Sequence, residues 1–328
     1  MSDTLIVTGA AGFIGSHLVR ALLTRGHRVV GVDNFDPFYD RPLKEANLQA
    51  LEAKRFAFVE ADIRDGSAME ALFAHHRPAG VFHIAALAGV RPSILDPARY
   101  AAVNVDGLVN LLQAARNAEC RSFIFASSSS VYGNRSTVPF SETDDVGEPI
   151  SPYAATKRAG ELICHTYSHL FGLSIAALRF FTVYGPAQRP DLAISKFMPL
   201  IAADEEVPMF GDGDTSRDYT YIDDIIQGVL AAWDRADAAD EGFFRIYNLG
   251  GSKPVMLSDM IEMIGKVVGR TPRIRHMPMQ PGDVERTYAD LTRSRDELGF
   301  HPQTPFAEGL EKQWAWTRRR LQLASSAR

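Results

Sequence analysis

Thr4-Leu5-Ile6-Val7-Thr8 runs directly into Gly9-Ala10-Ala11-Gly12-Phe13-Ile14-Gly15. Ser16-His17-Leu18-Val19-Arg20-Ala21-Leu22-Leu23 follows, and Arg28-Val29-Val30-Gly31-Val32 then ends on Asp33. The first five residues are apolar and β-branched, as a buried parallel strand requires. From Ser16 the apolar residues recur at helical spacing, and Arg25-Gly26-His27 closes that helix. Gly9 lets the chain turn sharply off the strand. Gly12 lets backbone N–H groups approach a diphosphate, and Gly15 seats the helix close against the sheet. The helix N-terminus, with Phe13 and Ile14 in its first turn, faces the phosphate charge. Asp33 stands at the tip of the second strand, where a carboxylate accepts hydrogen bonds from both hydroxyls of an adenosine ribose and repels a 2′-phosphate. With Asn34 beside it, the pattern predicts a dinucleotide site for NAD rather than NADP. The spacing is GxxGxxG, a variant of the commoner GxGxxG fingerprint.

Working outward, 328 residues accommodate one large α/β domain, or such a domain with a smaller partner. A 46% apolar fraction suffices for a packed core, and a net charge of −5 argues against a nucleic-acid or membrane surface. Arg318-Arg319-Arg320 reads as a solvated helix face. Met1-Ser2-Asp3 leaves no room for a signal peptide before the first strand, and no apolar run reaches spanning length. Cys120 and Cys164 are far apart and in no metal or redox spacing, so reduced thiols and a cytoplasmic location are expected. The histidines contain no HExxH, and no metal is expected.

Further along, Asn34 to Arg55 is a polar insertion holding Phe35, Phe38 and Tyr39, followed by a helix. Arg55 to Glu60 is the third strand. Asp62, with Ile63 after it, either accepts a hydrogen bond from the adenine amino group or caps a helix starting near Gly66. Ala79 to Ala86 is a fourth strand whose small end, Ala85-Ala86, permits close approach of the cofactor or tight packing against a helix. Arg91 lies in the loop that follows. A long helix, Ala98 to Glu119, embeds Asn104 in an apolar face, where a buried amide needs partners; it is counted with the cofactor set as a brace for the neighbouring strand. Arg121 to Ala126 is the fifth strand and delivers Ser127-Ser128-Ser129-Ser130 at its carboxyl end, where open α/β sheets bind ligands. A second long helix starts at Pro152-Tyr153 and runs to about Phe171, and the sixth strand lies within Leu173 to Thr182. Together these predict a Rossmann-type doubly wound parallel sheet over residues 1–182. Beyond Gly185 the alternation breaks down. Residues 183–328 read as a smaller, interleaved substrate domain, with a segment near 217–250 returning to the large sheet and a terminal amphipathic helix around Trp314 and Trp316.

Tyr153 and Lys157 are four apart on one helix and so share a face. A phenol with a pKa of about 10 is a poor base at neutral pH. A neighbouring ammonium and a positive nicotinamide ring favour the phenolate. Lys157 also suits the nicotinamide ribose, and Ser128 suits a hydrogen bond at the reacting oxygen. Tyr153, Lys157 and Ser128 are therefore the candidate catalytic set; the alternative for the four serines is a flexible loop.

Thr8 to Gly15, Ser127 to Gly133, Tyr153-Ala154-Ala155-Thr156-Lys157 and Arg217-Asp218-Tyr219-Thr220-Tyr221-Ile222-Asp223-Asp224 together resemble the extended short-chain dehydrogenase/reductase family. Within it the chain is similar to nucleotide-sugar 4-epimerases over nearly its whole length. It looks most like UDP-glucuronate 4-epimerases, which share the Gly31-Val32-Asp33-Asn34-Phe35 start, the Ala88-Gly89-Val90-Arg91 loop, and Arg179-Phe180-Phe181-Thr182-Val183-Tyr184-Gly185-Pro186 leading to Arg189. The resemblance implies that NAD takes hydride from C4 of a UDP-sugar, the 4-keto sugar turns over, and hydride returns to the opposite face. It also implies substrate contacts at Arg91, Ser128, Ser129, Ser130 and Thr182, an anionic-substrate contact at Arg189, a diphosphate contact at Arg217, and a uridine-ribose contact at Asp283; for Arg189 and Arg217 the alternative is surface ion pairing. Related dehydratases and decarboxylases carry acids where this chain has Ser129-Ser130, which favours simple epimerisation. Ala187 falls where many uronate epimerases have a larger or basic residue. A UDP-glucose, UDP-GlcNAc or UDP-pentose 4-epimerase is the alternative, and a non-catalytic NAD-binding regulator a more distant one. A homodimer built from the two long helices is also implied.

Overall fold

The computed structural model describes residues 3–49, 51, 54–278 and 284–326. Strict strand–helix alternation fills the first half. Strands β1 (Thr4–Thr8), β2 (Arg28–Asp33), β3 (Phe56–Glu60), β4 (Gly80–His83), β5 (Ser122–Ser128) and β6 (Ser174–Phe180) are linked by helices α1 (Phe13–Thr24), α2 (Arg41–Gln49), α3 (Gly66–His76), α4 (Val90–Leu95), α5 (Pro97–Ala101), α6 (Gly107–Asn117) and α7 (Pro152–Phe171). After these come β7 (Thr182–Tyr184), α8 (Ala193–Ala202), β8 (Glu206–Phe210), β9 (Ser216–Tyr221), α9 (Ile222–Asp237), β10 (Phe244–Leu249), β11 (Pro254–Met256), α10 (Leu257–Val268), β12 (Arg273–Met277), α11 (Thr292–Leu298) and α12 (Phe306–Ser326).

Among the described residues, seven strands form one parallel sheet in the order β10-β6-β5-β4-β1-β2-β3. Every residue of β5 and β6 is buried, because helices cover both faces of the sheet. Helices α1 and α9 pack on one face; α3, α6 and α7 pack on the other. The predicted return of the chain is β10, which pairs with β6 from Phe244↔Ile175 to Leu249↔Phe180. The other late strands build a three-stranded sheet, β11-β9-β7, and the parallel pair β12-β8. On α12, Trp314 packs against the large core, while Arg318 and Arg319 are solvated as expected and Arg320 lies over the Trp316 ring.

Two long helices were expected, and one of them is interrupted. Helix α7 is continuous: the Ser151 hydroxyl caps it by accepting from the Ala154 N–H at 3.2 Å, Pro152 opens it, and Gly172 ends it at φ +71°. The other is α5, then a π-helical turn over Ala102–Asp106, then α6. The wide turn falls at Asn104, whose amide is bonded sideways to the rest of the protein. An extra residue in one turn leaves the apolar spacing almost unchanged, so the sequence pattern carries no sign of it.

Strand order reverses between β1 and β4, which opens a crevice at their carboxyl ends. There the backbone is packed without slack: a Cβ at Gly15 would overlap the Gly9 carbonyl oxygen. Gly15→Ala is expected to force α1 outward and lower stability by about 1–3 kcal/mol. A urea titration reads this as a lower midpoint, and a parental midpoint would show that the turn can relax.

Candidate active site

A cleft of about 380 Å³ lies at this reversal point. One end is lined by Gly9, Gly12, Phe13, Ile14, Gly15, Asp33, Asn34, Asp62, Ile63, Ala85 and Ala86, as the sequence predicted. Gly9 adopts φ +70°, and a Cβ there would lie 2.8 Å from the Ala85 backbone nitrogen. Its own N–H donates to Val32 O at 2.8 Å, and the Gly12 N–H donates to Gly9 O at 3.0 Å. The turn is therefore held flat against β2 and β4, with α1 starting at the mouth of the cleft. Ala85 abuts the Gly9 turn and lines the cleft.

Asp33 accepts from the backbone N–H groups of Ala11 (3.2 Å) and Phe35 (2.9 Å). Burial raises its carboxyl above the usual range, while the Lys44 ammonium at 4.0 Å and those N–H groups pull it back. Asp62 accepts from Asn34 Nδ2 (2.9 Å) and from Arg64 Nε and Nη2 (3.0 and 2.7 Å), and Arg64 holds it down to about 2. It does not cap the next helix. Asp65 does, accepting from the Ala68 N–H at 3.0 Å, which leaves Asp62 at the cleft.

The polar insertion turns out to be a wall of this cleft. Asp36, Phe38, Tyr39 and Lys44 all line it. Arg99 ties Asp36 down at 2.6 Å, Lys44 donates to Asp36 O at 2.9 Å, and the Arg189 guanidinium lies 4.8 Å over the Phe38 ring. The Tyr39 hydroxyl is buried with no partner, facing the open side of Gly12. A buried donor of this kind suits an anionic ligand. Sequence reading missed Tyr39 and Lys44 as site residues; the available signal was a run of aromatics inside an otherwise polar insertion. The tight glycine turn, the ribose-end carboxylate and the orphan hydroxyl fit a dinucleotide diphosphate.

The other end of the cleft is lined by Ser128, Ser129, Ser130, Tyr153, Lys157, Thr182 and Arg189. The serines do not form a flexible loop. Ser128 ends β5, and Ser129–Tyr132 makes a 3₁₀ turn in which Ser128 Oγ accepts from the Ser130 N–H at 3.1 Å. Lys157 is 3% exposed and donates to Ala126 O at 2.7 Å. Burial pulls its ammonium down to about 7, against the opposing pull of Cys164 and Glu161. Tyr153 departs from expectation. Burial raises its phenol, and the groups that lower it are the Ser128 hydroxyl, by a hydrogen bond, and the Arg189 charge; Lys157 is not one of them. Arg189 lines this same end of the cleft. Its own carboxylate partner is Asp191, at 2.7 Å.

Three predicted residues stand elsewhere among the described residues. Asn104 is 2% exposed and lies behind the wall, not in it. Its amide accepts from the Leu87 N–H (2.9 Å) and donates to Leu87 O (3.0 Å) and Thr156 Oγ1 (3.0 Å), so it braces the β4 exit against α7. Arg91 is exposed in α4 rather than in a loop, with its guanidinium 4.7 Å over the Phe210 ring. Arg217 lines an adjoining pocket of about 190 Å³ that shares Ser129, Ser130 and Thr182 with the cleft. Asp283 lies outside the described residues. Among the described residues, no group of histidines, cysteines and acids could hold a metal ion, and no helix is long and apolar enough to cross a membrane.

Known proteins resemble both the sequence and this geometry. UDP-glucuronate 4-epimerase 5 of Arabidopsis thaliana is 43% identical over 95% of this chain and 75% of its own length. Protein CapI of Staphylococcus aureus is 39% identical over 95% and 97%. The crystal structure of a Bacillus cereus UDP-glucuronic acid 4-epimerase, in complex with UDP-glucuronic acid and NAD, superposes with a TM-score of 0.90 at 36% identity, covering 97% of this chain and 99% of that one. A Thermotoga maritima UDP-glucose 4-epimerase with UDP-glucose gives 0.88 at 32%, with the same coverage. Residues 5–250 match the NAD dependent epimerase/dehydratase family, and the chain belongs to it.

Proposed function

We propose that this chain is an NAD-dependent epimerase that inverts C4 of a UDP-sugar, interconverting UDP-glucuronate and UDP-galacturonate. The observation that carries the reading is the composition of one end of the cleft. Tyr153, Lys157 and Ser128 meet Arg189 there, and no carboxylate among the described residues lines the adjoining pocket. Arg189, which also holds Asp191 at 2.7 Å, and Arg217 in the adjoining pocket are cations suited to an anionic sugar. Among the described residues, no acid lines the adjoining pocket to run elimination or to protonate a neighbouring carbon. When bound, NAD supplies a hydride acceptor that returns the hydride.

The chain's own residues do the rest. As the phenolate, Tyr153 takes the proton of the C4 hydroxyl and, as the phenol so formed, gives it back, with the Ser128 hydroxyl beside it. Lys157 would hold the nicotinamide ribose, and its ammonium, pulled to about 7, is present on the acid side of neutrality and lost above it. Arg189 makes the phenol more acidic and attracts the substrate carboxylate. Arg217 suits the diphosphate and Asp283 the uridine ribose. NAD would lie on residues 1–182 and the returning strand, the UDP-sugar against 183–328. Ala187, held at φ +66° two residues before Arg189, keeps a second reading open, in which the sugar is a neutral UDP-hexose or UDP-pentose.

Two further features bear on location and assembly: free, buried Cys120 and Cys164 suit a reducing cytoplasm, and exposed Val109, Leu162, Leu170 and Phe171 on α6 and α7 suit a second copy of this chain.

Three measurements test this reading. Incubation with a panel of UDP-sugars, followed by NMR, is expected to show UDP-glucuronate and UDP-galacturonate interconverting, and Tyr153→Phe to lose conversion on the order of a hundredfold or more. Turnover of UDP-glucose alone would replace the substrate. Tyr39→Phe is expected to weaken NAD binding about tenfold in calorimetry, the loss of one hydrogen bond to a charged group. An unchanged Kd would remove Tyr39 from the cofactor site. Leu162→Arg should shift sedimentation from dimer to monomer; a monomeric parent would refute the dimer.

A further inference from the structure

Behind the catalytic set lies a buried charge that the chemistry above does not use. Tyr153, Lys157 and Glu161 recur every four residues along α7, on one stripe of the helix. The Glu161 side chain is 0% exposed. Its Oε1 accepts from Ser127 Oγ at 2.6 Å and from Arg179 Nε at 2.8 Å. Its Oε2 accepts from Arg179 Nη2 at 2.9 Å and from Arg158 Nη1 at 3.1 Å. Ser127 and Arg179 are register partners on β5 and β6, and Ser127 immediately precedes Ser128. One carboxylate therefore bolts the catalytic helix to two strands at the point where β5 hands over to the site.

The connection continues away from the helix. The Arg179 guanidinium lies 4.8 Å over the Tyr132 ring, and Tyr132 OH donates to Asn248 Oδ1 at 2.7 Å. Asn248 Nδ2 donates in turn to Phe140 O (2.9 Å) and Asp290 O (3.2 Å). Stability alone does not call for such a pair, because two apolar side chains of similar volume would stabilise the fold as well or better. A role in geometry does.

We propose that Glu161 is a positioning residue: it sets the end of β5 against α7 so that Ser128 meets Tyr153. This rests on the roles given above to Tyr153, Lys157 and Ser128. The groups facing Lys157 are His83 from β4 and Cys164 and Glu161 from α7. His83 is held neutral at pH 7 by burial, which pulls it to about 3. The groups facing Tyr153 are Ser128, Arg189 and the edge of Tyr100. Those facing Glu161 are Ser127, Arg158 and Arg179.

The test compares Glu161→Gln with the uncharged double variant Glu161→Leu/Arg179→Leu. Thermal midpoint, UDP-sugar kinetics and the ultraviolet titration of Tyr153, referenced to Tyr153→Phe, are read with and without NAD. Glu161→Gln keeps an acceptor for Ser127 but strands the Arg179 charge. It is expected to lower the thermal midpoint and to lower kcat by on the order of tenfold to a hundredfold at near-parental KM. With the end of β5 displaced, Tyr153 loses the Ser128 hydroxyl that lowers its phenol, which should then ionise at higher pH. The double variant, having no stranded charge, should regain the thermal midpoint while kcat and the phenol titration stay displaced. Recovery of all three in the double variant, or a parental Tyr153 titration in Glu161→Gln, would overturn the proposal and leave a purely structural ion pair. Should Glu161→Gln fail to fold, the double variant decides by itself. A parent that turns over no UDP-sugar would instead defeat the reading of function, and the Tyr153 titration would still judge Glu161.

Discussion

The 2.7 Å hydrogen bond from Lys157 Nζ to Ala126 O is the contact on which the rest of the site depends. It crosses from α7 to the last turns of β5, in a place with almost no solvent. Breaking it would leave an ammonium buried without an acceptor, at a cost of several kcal/mol. The helix therefore has little freedom to slide or rotate against the strand. Because Tyr153 lies one turn earlier on the same face, and Ser128 two residues beyond Ala126, the same bond governs how phenol and hydroxyl meet. Asn104 secures the opposite flank, bridging Leu87 to Thr156, whose hydroxyl donates to Tyr153 O at 2.8 Å.

Charge is divided along the cleft in a way that net composition conceals. A chain of net charge −5 has no overall pull on anions. Locally, Asp33 and Asp62 stand at the ends of β2 and β3, while Lys157 and Arg189 stand at the far end and Arg217 next door. A dinucleotide with its ribose hydroxyls toward the acids and its other end toward the cations meets complementary partners along its length. Lys44 beside Asp33 qualifies this. Two unit charges 4.0 Å apart attract by about 4 kcal/mol at an effective dielectric constant near 20. Yet the Asp33 carboxyl is raised and the Lys44 ammonium lowered, each by burial first. Desolvation outweighs the pairing, so both groups retain capacity for a ligand.

Much of this was legible in the sequence, and the part that was legible has a common cause. Gly9, Gly15 and Asp33 are fixed by short-range geometry within one strand–turn–helix–strand unit. Tyr153 and Lys157 are fixed by helical spacing. Both are local, and local rules read them. The return of Phe244–Leu249 to the large sheet was readable because Phe244, Ile246 and Tyr247 favour a strand, which pairs at the sheet edge with only its second half buried. The π-helical turn at Asn104 was not readable, since it depends on partners at Leu87 and Thr156. Tyr39, Lys44 and the influence of Arg189 on the phenol were equally hidden, because they arise where segments distant in the chain come together. The choice for Asp62 needed only one further fact, that Asp65 caps α3.

That last group of residues alters how the phenol is understood. The pairing of Tyr153 with Lys157 along a helix suggests that the lysine makes the phenol acidic. In the protein alone, burial dominates Tyr153, and the opposing influences are the Ser128 hydrogen bond and the Arg189 charge. Arg189 is at the same time stacked on Phe38 of the insertion and paired with Asp191. An anionic substrate competing for Arg189 would therefore act on two things together, the acidity of the phenol and the hold on the wall that covers the cofactor. A neutral sugar would leave both as they are. Arg189 lines the same end of the cleft as the Tyr153 phenol, lies over Phe38 and holds Asp191, so a substrate carboxylate reaching it would meet all three.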